Sequence, residues 1–93
     1  MAHSWFTEHA RARMQQRGIP PAAIEVLLTY GRSSHDHRGC EVVYFDKPAR
    51  EHLARHNPAA AREAARFSHT YAVLGSDGVV VTVGHRYRRL KRR

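Results

Sequence analysis

The sequence predicts one α+β domain over residues 1–87. Two N-terminal helices that form a helical hairpin, and a further helix, are expected to pack on a small antiparallel sheet ending in a C-terminal β-hairpin. Three observations predict this fold class. A chain of 93 residues is long enough for one modest core. Apolar residues in the first third recur at helical spacing, whereas the last third holds two apolar runs separated by a glycine-containing turn. Helices and strands are grouped rather than alternating along the chain, which favours α+β.

The first helix is predicted over residues 5–17, with Ser4 or Thr7 as its N-cap. Apolar side chains recur every fourth position as far as Met14 and mark a buried stripe. Gly18 is a natural stop, because glycine adopts the left-handed conformation that ends many helices.

Two further helical regions follow from the prolines. Pro20-Pro21 predicts the start of a second helix, because proline is well tolerated in the first turn, and Gly31 predicts its end. A third helical region covers residues 49–66. Asn57-Pro58 interrupts it, since proline disfavours a helical conformation in the residue before it. The sequence therefore predicts two short helices there or one kinked helix.

Strands are predicted over residues 41–45, 67–74 and 79–86, where β-branched and aromatic residues are concentrated. The turn 75–78 joins the last two strands into a hairpin. The polar segment 32–39 is typical of a strand end or a loop. Residues 88–93 are predicted to form a charged C-terminal tail.

The formal net charge of +8 indicates a polyanionic partner. Arginine supplies 14 of the 16 basic residues, and its planar fork suits phosphate and base contacts better than lysine does. Nucleic acid, RNA rather than DNA, is the predicted partner, although an acidic protein could use the same surface. We expect no membrane association and a cytoplasmic location, because no apolar run is long enough for a membrane span, no signal peptide is evident and Cys40 is the only cysteine.

The end of the last predicted strand carries the first candidate site. Gly84-His85-Arg86-Tyr87 places an imidazole, a guanidinium and a phenol at one edge of the sheet, with His85 and Tyr87 on the side of Val79, Val81 and Val83. We predict that His85 transfers protons and that Arg86 stabilises a charged phosphate. Side chains predicted to bind nucleic acid follow these two residues: Tyr87, Arg88, Arg89, Lys91, Arg92 and Arg93. The alternative is a solvated strand end with a solubilising tail.

The second candidate lies on the first helix. His9, Arg13 and Arg17 are spaced four residues apart and therefore share one face beside the buried stripe. We predict His9 as a second catalytic residue and both arginines as nucleic-acid ligands. The alternative is an ordinary solvated polar face.

Metal binding is a third hypothesis, and the sequence argues against it. His35-Asp36-His37 and the pair His52 and His56 contain residue types that bind zinc. The second pair lacks the glutamate of the zinc-protease pattern, and Arg55 beside it would repel a cation. The sequence therefore predicts neither a metal site nor a cofactor.

Two segments resemble known families. Residues 9–19 match the H-A-x-x-R-M-x-x-R-G-I signature of a small bacterial family of unknown function. Residues 80–86, Val-Val-Thr-Val-Gly-His-Arg, resemble the last strand of RelE/ParE-type toxins. The RelE branch cuts messenger RNA on the ribosome without a metal ion, and the ParE branch poisons DNA gyrase. This resemblance implies helices packed on an antiparallel sheet, a phosphate-binding role for Arg86 and an antitoxin-like protein partner.

Three functions remain open from the sequence. The first is a metal-independent endoribonuclease of toxin type. The second is a module that binds RNA or DNA without chemistry, and the third is a protein-interaction domain with an acidic partner. An acid, a base and a charge stabiliser must reach one phosphate for the first function. The positions of the two candidate sites relative to each other are therefore decisive.

Overall fold

The computed structural model describes residues 5–35 and 39–85 and confirms the α+β fold class. In chain order its elements are α1 Glu8–Arg17, α2 Pro21–Tyr30, β1 Arg32–His35, β2 Glu41–Tyr44, α3 Lys47–His56, α4 Pro58–Ala64, a 3₁₀ turn Ala65–Phe67, β3 Thr70–Leu74 and β4 Val80–His85. Within these residues no helix is long and apolar enough to cross a membrane.

Local sequence signals set the ends of α1 and α2. The Thr7 hydroxyl accepts a hydrogen bond from the Ala10 N–H at 3.0 Å, so α1 begins at Glu8 rather than at residue 5. Gly18 ends α1 with a left-handed φ of 68°, which confirms its predicted role. Pro21 opens α2 as predicted, and the helix ends at Gly31.

The third helical region is two helices, which is one of the two predicted alternatives. The side chain of Asp46 caps α3 by accepting a hydrogen bond from the Ala49 N–H at 2.9 Å. Asn57 ends α3 and caps α4 through a hydrogen bond from the Ala60 N–H at 3.1 Å. The break at Asn57-Pro58 therefore has both a steric cause and a capping cause.

The four strands form one antiparallel sheet in the order β1-β2-β3-β4. The segment predicted as a strand end or loop contains β1, a four-residue strand with only exposed residues. β3 is shorter than predicted, because residues 65–67 form a 3₁₀ turn before it. The predicted hairpin of β3 and β4 is confirmed.

A register shift in the hairpin corrects the predicted orientation of β4. An irregularity between Val73 and Leu74 leaves Val80, rather than Val79 or Val81, opposite Leu74. The buried valines of β4 are Val80 and Val83, which lie on the same face as His85 through their partners in β3. Strict alternation fails here because a β-bulge inserts a residue into one strand.

The helices are packed on the core face of the sheet. The buried residues Val43, Ala72 and Val83 lie side by side across β2, β3 and β4. α1 packs mainly on β4, whereas α2 contacts β2 and β3, and α3 and α4 pack against α2. The first two helices thus rest on different strands. Space is left between α1 and the α4 region, which is α4 together with the 3₁₀ turn that follows it (residues 58–67).

Candidate functional site

His85 ends the edge strand β4 and is held by a buried hydroxyl. Thr70 is its direct partner on β3 and is only 1% exposed. The Thr70 hydroxyl lies 3.3 Å from Nδ1 of His85, within hydrogen-bond distance. A contact at Nδ1 fixes the ring and leaves Nε2 as the nitrogen that can exchange a proton with a ligand. His85 itself is half-buried.

Packing explains why a glycine, Gly84, directly precedes His85 in the sequence. It pairs with Tyr71, and a Cβ atom at Gly84 would lie 2.8 Å from the Tyr71 hydroxyl oxygen and 2.9 Å from the ring carbon that carries it. The absence of a side chain thus lets the Tyr71 ring lie across β4. This contact is on the sheet face opposite to His85, since side chains alternate along a strand.

Thr7 fixes where α1 begins relative to β4. Its backbone N–H donates to the Val80 carbonyl at 3.0 Å, and its hydroxyl donates to the Val81 carbonyl at 3.2 Å. Phe6 also forms a parallel bridge with Val80. The same hydroxyl caps the helix, so one side chain joins the first turn of α1 to the start of β4.

This anchor bears on the positions of the two predicted catalytic histidines. His9 is exposed and lies two residues after Thr7, at the start of β4. His85 lies four residues beyond Val81, about 13 Å further along an extended strand. Thr7 therefore anchors the start of α1 at the end of β4 opposite to His85. A catalytic role for His9 stays a prediction.

The predicted arginines of α1 are on the same flank as His9. Arg17 is exposed, whereas Arg13 is partly buried beside Met14. The Nε atom of Arg13 is buried and has no hydrogen-bond partner in the part of the chain that the structure describes. Packing therefore holds the side chain of Arg13 in place at its inner end, and its terminal nitrogens remain the groups that can bind a phosphate.

A groove in the described part of the chain lies on the other flank of α1. This open groove has a volume of about 1380 Å³ and lies between α1 and the α4 region. Its basic residues are Arg11, Arg62 and Arg66, and it contains none of His9, Arg13, Arg17 or His85. Its floor is apolar, with Met14, Ile19 and Phe67.

His52 and His56 form a ring pair rather than a metal centre. Their ring centroids are 4.0 Å apart, and the ring centroid of Tyr30 lies 5.9 Å from that of His52. Nδ1 of His56 is 3.1 Å from the His52 carbonyl oxygen, which occupies one of its two ring nitrogens. Among residues 5–35 and 39–85, no three histidine, cysteine, aspartate or glutamate side chains converge as a metal site would require.

Much of the predicted terminal site lies outside the described residues. The residues concerned are Arg86, Tyr87, Arg88, Arg89, Lys91, Arg92 and Arg93, together with Asp36 and His37 of the candidate metal motif. Their predicted roles stay predictions.

The structure adds residues that the sequence did not indicate. Thr70 has no motif around it, and only the strand register reveals that it faces His85. His69 directly precedes Thr70 in the sequence and is exposed, so it is a further histidine near the start of β3. In the sequence, Arg62 and Arg66 are typical of a solvent-exposed helix surface. Only the structure shows that they line a groove.

Comparison with known protein families identifies the family of the chain. Residues 6–85 match the family model described as a domain of unknown function, DUF4258. No curated protein and no solved structure matches the chain. The predicted membership of a family of unknown function is therefore confirmed, and the resemblance to RelE/ParE-type toxins stays a prediction.

Proposed function

The chain belongs to the DUF4258 family, and we propose that it binds single-stranded RNA and cleaves it as a metal-independent endoribonuclease. The observation that carries this proposal is the end of β4. There His85 is held through Nδ1 by the buried Thr70 hydroxyl, and the next residue in the sequence is Arg86. The net charge of +8 supports a polyanionic substrate.

RNA needs little from a protein in order to be cut, because its 2′-hydroxyl is an internal nucleophile. A base removes the 2′-hydroxyl proton, the 2′-oxygen forms a bond to phosphorus, and the bond from phosphorus to the 5′-oxygen breaks. The leaving 5′-oxygen then takes a proton from an acid. The products are a 2′,3′-cyclic phosphate and a 5′-hydroxyl, and no outside oxidant or water is consumed in this step.

His85 is assigned one of the two proton transfers at its Nε2 atom. An imidazole is suited to this because it gains and loses protons near neutral pH. Arg86 is assigned the stabilisation of negative charge on the phosphate oxygens, with a two-point contact that lysine would not reproduce. Thr70 is a positioning residue, since it contacts His85 and not the substrate.

Two histidines compete for the other proton transfer. The sequence predicts His9 for it, and His69 lies beside Thr70 at the His85 end of the sheet. A single phosphate must be reached by both groups, so the partner of His85 is the histidine whose ring reaches the same phosphate. Replacing each separately by glutamine, and comparing the pH dependence of cleavage, distinguishes them, because only the true partner removes one limb of a bell-shaped profile.

The proposal is tested with purified protein, free messenger RNA and ribosome-bound messenger RNA in excess EDTA. We expect cleavage that leaves 2′,3′-cyclic phosphate ends. Arg86→Ala and His85→Gln should each reduce the rate by about 100-fold or more, as loss of a general acid–base or charge-stabilising group does. Cleavage that survives in both variants would overturn the assignment.

Matched controls exclude a contaminating nuclease. Arg55→Ala and His56→Gln remove the same kinds of side chain from exposed positions on α3, away from the end of β4. We expect both to cleave like the wild type. If RNA is bound in a salt-dependent manner but no product forms, the protein is a binding module and the catalytic part of the proposal is wrong.

A further inference from the structure

We infer that the groove between α1 and the α4 region is a binding site for single-stranded RNA, on the flank of α1 opposite to the predicted one. This inference rests on the proposed function, because it names where the substrate of that function is held. The site is built from Arg11 and Gln15 of α1 and from Arg62, Arg66 and Phe67 of the α4 region.

The size of the groove fits a nucleic-acid segment better than a small metabolite. Pockets for drug-sized ligands have volumes of about 300–1,000 Å³. The groove exceeds this range at about 1380 Å³, and it is open to solvent. An open channel of this size suits a polymer that continues beyond both ends of the contact.

The arginines of the α4 region give the groove its anion-binding chemistry. Arg62 lies in α4 and Arg66 lies in the 3₁₀ turn that follows it, and both line the groove. Both are exposed, and neither belongs to an ion pair in the described part of the chain. Two guanidinium groups in one groove can each bind a backbone phosphate.

Phe67 adds a surface on which a base can stack. Its half-buried ring faces the groove, and the Arg66 guanidinium carbon lies 5.9 Å from the ring centroid. An aromatic ring beside arginines is the combination used for sequence-tolerant binding of single strands. Stacking on Phe67 and phosphate binding by Arg66 would thus occur at adjacent positions.

The polar and aromatic side chains of the groove favour RNA over an acidic protein segment. Glu8 and Glu63 line the groove together with the arginines. Their charges oppose the phosphates of RNA and the side chains of an acidic peptide alike, so the distinction rests on what binds the bases. Base edges carry N–H donors that a carboxylate or the Gln15 amide accepts, so the same residues are compatible with RNA.

The chain itself connects the groove to the proposed catalytic end of the sheet. Phe67 lines the groove, and Thr70, only three residues later, contacts His85. Three residues span at most about 11 Å. RNA held in the groove would therefore reach the end of β4 within a short stretch of its backbone.

The test measures the binding of a fluorescent 12-nucleotide oligouridine to the full chain by anisotropy at several salt concentrations. The groove variant is Arg62→Gln/Arg66→Gln. Its charge-matched control is Lys47→Gln/Arg55→Gln, which removes two exposed cations from α3, outside the groove. Because all four positions are exposed, each variant should unfold at the same temperature as the wild type.

We expect the groove variant to bind at least about 10-fold more weakly near 0.1 M salt. The slope of log affinity against log salt should become shallower by about 1.4, since each lost phosphate contact on a single strand removes about 0.7. Phe67→Leu should weaken binding about 5-fold or more through lost stacking. The control pair should retain most of the affinity.

Equal losses of affinity for oligouridine in the groove variant and the control would overturn the inference, because affinity would then depend on net charge alone. It would also be overturned if a 20-residue polyglutamate bound the groove in an Arg62- and Arg66-dependent manner while the oligouridine did not. Cleavage at His85 with an unaffected groove variant would refute the groove and leave the proposed function intact. Groove-dependent binding without cleavage would support the groove and refute catalysis, and no binding by the wild type would refute both.

Discussion

Removal of the Asp46 side chain should destabilise the fold by about 1–2 kcal/mol, with the loss divided between two contacts. One carboxylate oxygen caps α3 by accepting a hydrogen bond from the Ala49 N–H, and the other accepts one from Nε of Arg32. Loss of an N-cap costs about 0.5–2 kcal/mol, and loss of an exposed ion pair costs about 0.2–1 kcal/mol. The side chain of Arg32 is 55% exposed, so the ion pair contributes the smaller share.

Comparison of two substitutions separates these contributions. Asp46→Asn keeps a good N-cap and removes the charge, so it should cost well under about 1 kcal/mol. Asp46→Ala removes both contacts. Urea unfolding at pH 6 should therefore give a lower free energy of unfolding for Asp46→Ala than for Asp46→Asn, by about 1 kcal/mol. In a chain of this size, that difference lowers the melting temperature by about 4–8 °C.

The pH dependence of the same comparison has a definite sign. Burial of the Asp46 carboxyl raises its pKa, but the Ala49 N–H and the hydrogen bond and charge of Arg32 outweigh burial and lower the pKa below its ordinary 3.8. A lowered pKa in the folded state stabilises the protein above about pH 4, and this stabilisation is lost as the pH falls through the folded value. The difference in free energy of unfolding between wild type and Asp46→Asn should therefore become smaller as the pH falls below about 4. A constant difference, or equal stabilities of the two variants at pH 6, would refute the reasoning.

Three further substitutions test the packing around the proposed site. Gly31→Ala would place Cβ 2.5 Å from the Leu27 carbonyl oxygen, although the backbone angles of Gly31 are normal. Urea unfolding should therefore show a free energy of unfolding that is lower by about 1–3 kcal/mol. An unchanged free energy of unfolding would contradict this close approach of Gly31 to α2. Thr7→Ala should cost about 1–2 kcal/mol, because it removes the cap of α1 and the bond to β4, whereas Thr7→Ser should be nearly neutral. Thr70→Val removes the hydroxyl that contacts His85, so it should reduce the cleavage rate even under conditions where the variant stays folded. Thr70→Ser keeps a hydroxyl and should restore the rate. Equal cleavage rates in the two variants would exclude a positioning role for the hydroxyl.

The elements predicted well from the sequence are those set by local chemistry. The ends of α1 and α2 follow from Gly18, Pro21 and Gly31, and the division of the third helical region follows from Asn57-Pro58. In each case a single residue has a strong conformational preference that tertiary contacts do not reverse. The fold class followed from the grouping of these elements along the chain.

The elements missed depend on contacts between distant residues. β1 has no apolar pattern, because it is an exposed edge strand whose order comes from pairing with β2. The bulge in the hairpin brings Val80, instead of Val79 and Val81, to the buried face of β4, which no alternation rule anticipates. Val83 and His85 share that face as predicted. The contact of Thr70 with His85 joins residues 15 apart and depends on the same register.

The two flanks of α1 show the limit of spacing as evidence for a site. His9, Arg13 and Arg17 all lie in α1, and side chains at an interval of four residues share a helical face. The spacing could not show which flank faces a groove, since that depends on where the α4 region packs. Arg13→Gln and Arg62→Gln each remove one positive charge, from opposite flanks of α1. A comparison of their affinities for RNA therefore shows which flank contacts RNA. A larger loss of affinity for Arg62→Gln would show that the groove between α1 and the α4 region, rather than the helical spacing, defines the binding surface.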